Sequence, residues 1–166
     1  MTQPQGINWS RVLIYGLLPA LALLLAVAAG LLKWQDASVR NTDLARTESV
    51  TAARDSTIAL LSFRFDTVDR DVAAARQRLT GKFRDAYTQR TQEELIPNAK
   101  EQRVSATAVV PGAASESATH NHAVVLVFVD QTIKIGDSAP ADAVSSVRVT
   151  LDKIGERWLV SEFDQF

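Results

Sequence analysis

The most extended apolar run in the chain reads VLIYGLLPALALLLAVAAGLL from Val12 to Leu32 and contains no charge. A helix rising ~1.5 Å per residue crosses a hydrocarbon core of about 30 Å over such a length. Arg11 and Lys33 close the run, and Trp9, Tyr15 and Trp34 fall where aromatic rings favour the headgroup zone. The pattern predicts a short tail over 1–11 and a transmembrane helix over 12–32. Cleavage as a signal peptide is the alternative, because Ala26-Val27-Ala28 fits an A-x-A site. The run is longer than the ~7–15 residues of a signal-peptide core, which favours the anchor.

Beyond the anchor the period becomes helical. Few breakers interrupt 35–62, and Val50, Ala53, Ile58 and Leu61 make an approximate stripe. The polar first part, 33–50, reads as a solvated helical stalk, and the folded domain is expected over 51–166. Asp66 or Thr67 can cap a second helix carrying Val68, Val72, Ala75 and Leu79 at i, i+4, i+7 and i+11, with Gly81 interrupting it. In a third helix Phe83, Ala86, Tyr87 and Leu95 face one way, and Pro97 marks a break or a new first turn.

From residue 104 the pattern alternates. A strand is expected over 104–110, ending at the Pro111-Gly112 turn signal, with a small polar loop through Ala118. The strongest strand, 123–135, has a core apolar on both faces and implies cover on both sides. Val147, Val149 and Leu151 alternate with Arg148, Thr150 and Asp152, and a hairpin turn at 154–157 leads into the last strand, 158–163. Helices first and antiparallel strands afterwards give an α+β class.

Composition changes this picture little. Eighteen Lys and Arg balance nineteen Asp and Glu, so there is no basic footprint for a nucleic acid partner. The absence of cysteine removes disulfides, thiolate catalysis and the commoner zinc sites. Orientation in the membrane is contested by two readings. Lys33, Arg40 and Arg46 follow the helix while Arg11 alone precedes it, which would hold the C-terminal side in the cytoplasm. The C-terminal part is much longer than the ~60-residue loops that obey this rule, and an extracytoplasmic domain is the reading adopted.

The segments Ser62-Phe63-Arg64-Phe65-Asp66-Thr67-Val68-Asp69-Arg70-Asp71, Leu79-Thr80-Gly81-Lys82-Phe83 and Ala99-Lys100-Glu101-Gln102-Arg103-Val104 stand in an order that resembles the Mce-associated membrane proteins of actinobacteria. So do Val127-Phe128-Val129-Asp130-Gln131-Thr132, Arg148-Val149-Thr150-Leu151 and Arg157-Trp158-Leu159-Val160-Ser161-Glu162-Phe163-Asp164. The resemblance implies a cone-shaped, cystatin-like or nuclear-transport-factor-like domain of about three helices on a curved antiparallel sheet of about four strands. It further implies a single-pass inner-membrane anchor, an extracytoplasmic (periplasmic) domain, and a non-catalytic role beside Mce lipid importers of fatty acids or sterols. It carries no catalytic, cofactor or metal residue onto this chain.

The candidate residues for contact are of two kinds. Ala22, Ala26 and Gly30 recur every four residues and would lie on one face of the membrane helix, where small side chains admit a partner helix; frequent Ala in such helices is the alternative explanation. Phe63, Phe65, Tyr87 and Phe128 would line a cavity between sheet and helices if the domain binds a lipid or another small molecule. An isomerase-like enzyme is the third reading, with Asp130 or Asp152 as base, but no companion Tyr, His or acid completes a pair. His120 and His122 read as surface residues, since a third metal ligand is missing.

Overall fold

The computed structural model describes residues 42–166; the expected membrane helix, with Ala22, Ala26 and Gly30, lies outside them. The described chain opens in helix α1, 42–61. Its buried face is Ala45, Ser49, Ala53, Ser56, Thr57 and Leu60, positions that fall one above another on a helix. Most of these side chains are small, so the backbone of α1 lies close against the sheet. The stretch from 42 to 50, expected to be solvated stalk, is therefore part of the domain: Ala45 is 3% exposed and Ser49 fully buried. Glu48 fixes it there by accepting hydrogen bonds from Lys153 Nζ at 2.9 Å and Trp158 Nε1 at 3.1 Å.

Helix α2, Val68–Arg76, buries Val68, Val72 and Ala75, and Thr67 occupies its N-cap position. The Thr67 hydroxyl donates to the Asp71 carboxylate at 2.7 Å instead of capping the backbone. Helix α3, Gly81–Arg90, follows, and a π-helical turn, Thr91–Leu95, joins it without interruption to helix α4, Ile96–Glu101. Pro97 accounts for the widened turn. The Ile96 N–H already donates five residues back to the Thr91 carbonyl, and Pro97 brings no N–H for the next bond.

Four antiparallel strands make one sheet in the order β1-β2-β3-β4: β1 Val104–Ala118, β2 His122–Ile135, β3 Ala141–Ile154 and β4 Arg157–Gln165. The α+β class and its succession of helices and strands are those expected. The first strand departs from expectation, because β1 continues through Pro111-Gly112 and the polar stretch after it. A register shift between Val109 and Gly112 absorbs these residues as a bulge on an edge strand, where a missing N–H costs no ladder bond. Gly112 leaves room for the ring of Phe128 opposite, since an added Cβ would come within 3.4 Å of Phe128 Cδ2. The actual turn lies later, where Thr119 N donates to the His122 carbonyl at 2.8 Å.

The core lies between α1 and the inner sheet face. Ala123, Val125, Val127 and Val129 of β2 and Val147, Val149 and Leu151 of β3 are all fully buried there. Each such Val or Leu contributes about 1.5–3 kcal/mol through burial, enough to fix which strand face points inward. The expected cover on both faces of β2 is not found within the described domain. Val124 and Leu126 are half-buried on the outer face and Phe128 is 46% exposed, because all the helices pack on the other side.

Candidate functional site

Two surfaces stand out, a cleft on the inner side of the sheet and an apolar patch on the outer side. The cleft arises because α3 buries none of its residues. Its apolar row, Phe83, Ala86 and Tyr87, turns toward the sheet without closing on it. Between them lies a cavity of about 650 Å³, bounded also by the end of α1, the π turn and the inner-face residues Val104, Gln131 and Phe163. Phe83 stacks on Phe163 with ring centroids 6.2 Å apart and planes 13° apart, and it meets Tyr87 at 6.4 Å.

Thr80 and Val160 hold the start of α3. Thr80 N donates to the Val160 carbonyl, and Val160 N donates to the Arg78 carbonyl, each at 2.9 Å. Gly81 follows at φ +58°, a left-handed conformation that turns the chain into the helix. At the far side, Gln131 Nε2 donates to the Leu61 carbonyl at 2.9 Å and ties the end of α1 to β2. Thr91 donates its hydroxyl to the Tyr87 and Thr88 carbonyls.

The polar groups left over are few. Burial pushes the Tyr87 hydroxyl up to about 12; a neutral phenol and a donor at neutral pH in any case, it holds its proton further into alkali. Arg90 meets Glu94 at 3.4 Å, both largely in water. Such an arrangement can hold an apolar body and hydrogen-bond one end of it.

Of the residues expected around a cavity, Phe63 and Tyr87 lie on this one. Phe65 does not. The chain leaves its short pairing with β1 after Phe63, and the Phe65 ring instead lies under the Arg103 guanidinium at 5.1 Å. Phe128 is on the other side of the sheet, because Val127 and Val129 point inward and strand alternation sends their neighbour outward. Expectation missed Phe83 as a cavity residue, although its helical spacing from Tyr87 carried that signal, and Phe163, which only the pairing of β4 brings across.

The outer patch is built from Val109, Phe128, Val144 and Phe166, exposed by 59%, 46%, 80% and 68%. Asp130 is exposed on this same face, paired across the ladder with Val109 and Val144. Asp152 is bound to His122, whose Nδ1 lies 2.7 Å from its carboxylate across β2 and β3. His120 is exposed in the turn. Among the described residues no cluster of three His, Cys, Asp or Glu side chains is placed to hold a metal. None of the described helices is long and apolar enough to cross a membrane.

This order of helices packed on one face of a four-stranded antiparallel sheet defines the class of protein: an α+β domain with the fold of VirB8. An IcmL-like type IV secretion system protein from Legionella pneumophila superimposes with a TM-score of 0.62 at 12% identity, over 73% of this chain and 91% of that one. The Agrobacterium tumefaciens VirB8 protein gives 0.57 at 12% identity, over 70% and 88%. At such identity the likeness is one of fold. The chain belongs to the family described as uncharacterized protein Rv1363c/MT1408-like, whose sequence model matches residues 14–162. Outer membrane protein Rv1973 of Mycobacterium tuberculosis is 59% identical over 157 residues, 95% of this chain and 98% of that protein. Uncharacterized protein Rv1362c of the same organism is 43% identical over 149 residues, 86% of this chain and 68% of that protein.

Proposed function

We propose that this chain is a non-catalytic, membrane-anchored accessory subunit that stabilises or assembles an Mce-type lipid importer. Its membrane helix and its domain surface would be the two contact sites. The observation that carries the reading is the outer sheet face, where Val109, Phe128, Val144 and Phe166 remain in water. Apolar side chains grouped on one face, with Asp130 between Val109 and Val144 and Arg148 over Phe166, offer both apolar area and charge to a protein partner.

Several further features support it. The domain shares its fold with the periplasmic domain of DotI, at a TM-score of 0.59, as well as with VirB8. An extracytoplasmic position for this domain is consistent with that likeness, and a membrane location is consistent with the name of Rv1973. The apolar run 12–32, expected as a membrane helix, would suit the inner membrane, since the described sheet turns its apolar inner face to helices and not to lipid. The non-catalytic reading is supported by the place of Asp130, on the opposite side of the sheet from the cleft in which an isomerase would need its base.

The test is extraction of the tagged full-length chain in mild detergent, followed by size-exclusion chromatography and mass spectrometry. Co-elution with Mce importer subunits is expected. Paired Phe128→Ser and Val144→Ser changes should lower their recovery several-fold with thermal unfolding unchanged, and Ala26→Leu or Gly30→Leu should act through the membrane contact. Elution of the chain alone in several detergents would sink the proposal.

A further inference from the structure

We infer that the inner cleft is itself a binding site, and that its ligand is a small single-chain amphiphile, an apolar tail ending in a hydrogen-bond acceptor such as a carboxylate. This site is separate from the outer face on which the assembly reading rests, and the two stand or fall independently. The helix that walls the cleft carries one sparse apolar row on an otherwise polar surface. Phe83, Tyr87 and Leu95 recur on the side that meets the apolar end of α1, while Arg90, Glu94 and Asn98 form a polar row beside them. The π turn widens this helix midway and lies directly on the cavity, through Thr91, Glu94 and Leu95.

The hydrogen-bond inventory selects the head of the ligand. Gln131 and Thr91 are already engaged with backbone carbonyls. The Tyr87 hydroxyl and the Asn98 amide have no side-chain hydrogen bond among the described residues, and Arg90 is held only by a solvent-exposed pair that a second carboxylate can displace. The Tyr87, Arg90 and Asn98 donors beside aromatic walls complement an acceptor-headed amphiphile, whose head would take Arg90 from Glu94. The volume of about 650 Å³ suits a medium-length chain, and lies within the ~300–1,000 Å³ of small-molecule sites.

The experiment uses the full-length protein in phospholipid nanodiscs and decanoic acid carrying a diazirine at its tail. After irradiation, adducts are mapped by mass spectrometry. They are expected on the segments around Leu60 and Phe83 to Ala99, displaced by unlabelled decanoate. Tyr87→Phe should weaken labelling several-fold, and Leu95→Trp, which fills the cavity, should lower it by an order of magnitude. Ala86→Phe provides a second obstruction from an exposed helix position, so that a folding defect in one variant does not decide the result. Adducts confined to other surfaces, labelling that persists in the folded obstructed variants, or equal labelling by the corresponding alkyl diazirine without a carboxylate would each overturn the assignment.

Discussion

Glu48 is the residue on which the attachment of α1 turns. Its Oε2 receives both the Lys153 ammonium and the Trp158 indole N–H, and Lys153 in turn lies 5.5 Å from the centre of the Trp158 ring. The hydrogen bond from Lys153, then that from Trp158, holds the Glu48 carboxyl below its ordinary value, and the same contact raises Lys153. A depressed carboxylate contributes stability that is present above its unfolded value and fades as the pH falls through the folded one. A raised lysine contributes stability that is present below its ordinary value and fades as the pH rises through the folded one. The clasp therefore acts across the neutral range and weakens at both ends. Glu48→Gln keeps the shape and the acceptor oxygen but removes the charge. Thermal unfolding followed by circular dichroism should show a loss of a few degrees at neutral pH, a gap that closes in strong acid and again at high pH. A gap independent of pH would show that packing, not charge, makes the clasp.

At the scale of elements, the start of α3 positions the helix that walls the cleft. Gly81 has φ +58°, and there is space for a Cβ there, so the cost of a side chain is conformational and not steric. Gly81→Ala should destabilise the domain by about 1–2 kcal/mol, the penalty of a left-handed residue. Urea unfolding monitored by tryptophan fluorescence measures it, and a neutral change would mean that the helix can start elsewhere. Such local conformations explain much of what the sequence discloses and what it hides. The alternation in β3 and β4 is open to reading because the inner face is buried along its length, Val147, Val149 and Leu151 on β3, while of their outward neighbours Arg148 is exposed and Thr150 alone is buried. The continuation of β1 past Pro111-Gly112 is hidden, since a bulge uses the same residues as a turn and only the partner strand distinguishes them. The face of α1 is hidden for a different reason. Ser49, Ser56 and Thr57 are buried for their size and not for their apolarity, so of the expected stripe Val50, Ala53, Ile58 and Leu61 only Ala53 lies on the fully buried face and the other three, half-buried, mark its flanks. Two of the four residues expected around a cavity, Phe63 and Tyr87, lie on it. Phe63 precedes a helix and Tyr87 lies on an apolar helical row, whereas the inward parity of β2 had to be fixed before Phe128 could be assigned to the outside.

For the whole molecule, the decisive question is on which side of the membrane the domain stands, because both proposed contacts depend on it. The charges flanking 12–32 favour the cytoplasm, while the length of the chain beyond them and the resemblance to the Mce-associated proteins favour the outside. The composition provides a direct way to decide, since the chain has no cysteine. Val144, 80% exposed on the outer sheet face, accepts a small thiol side chain without disturbing the core. A thiol at Asp137, in the turn between β2 and β3, should be labelled by a membrane-impermeant maleimide in intact cells or spheroplasts as completely as after lysis. The Val144→Cys thiol, on the face proposed to meet a partner, should be labelled less than Asp137→Cys in intact cells and equally only after detergent release. Labelling of both only after lysis would put the domain in the cytoplasm and remove the extracytoplasmic assembly role, while leaving the cleft and its ligand open to the same test. Labelling of Asp137→Cys but not Val144→Cys in intact cells, with both accessible after detergent release, would show the outer face already covered by a partner in its native membrane.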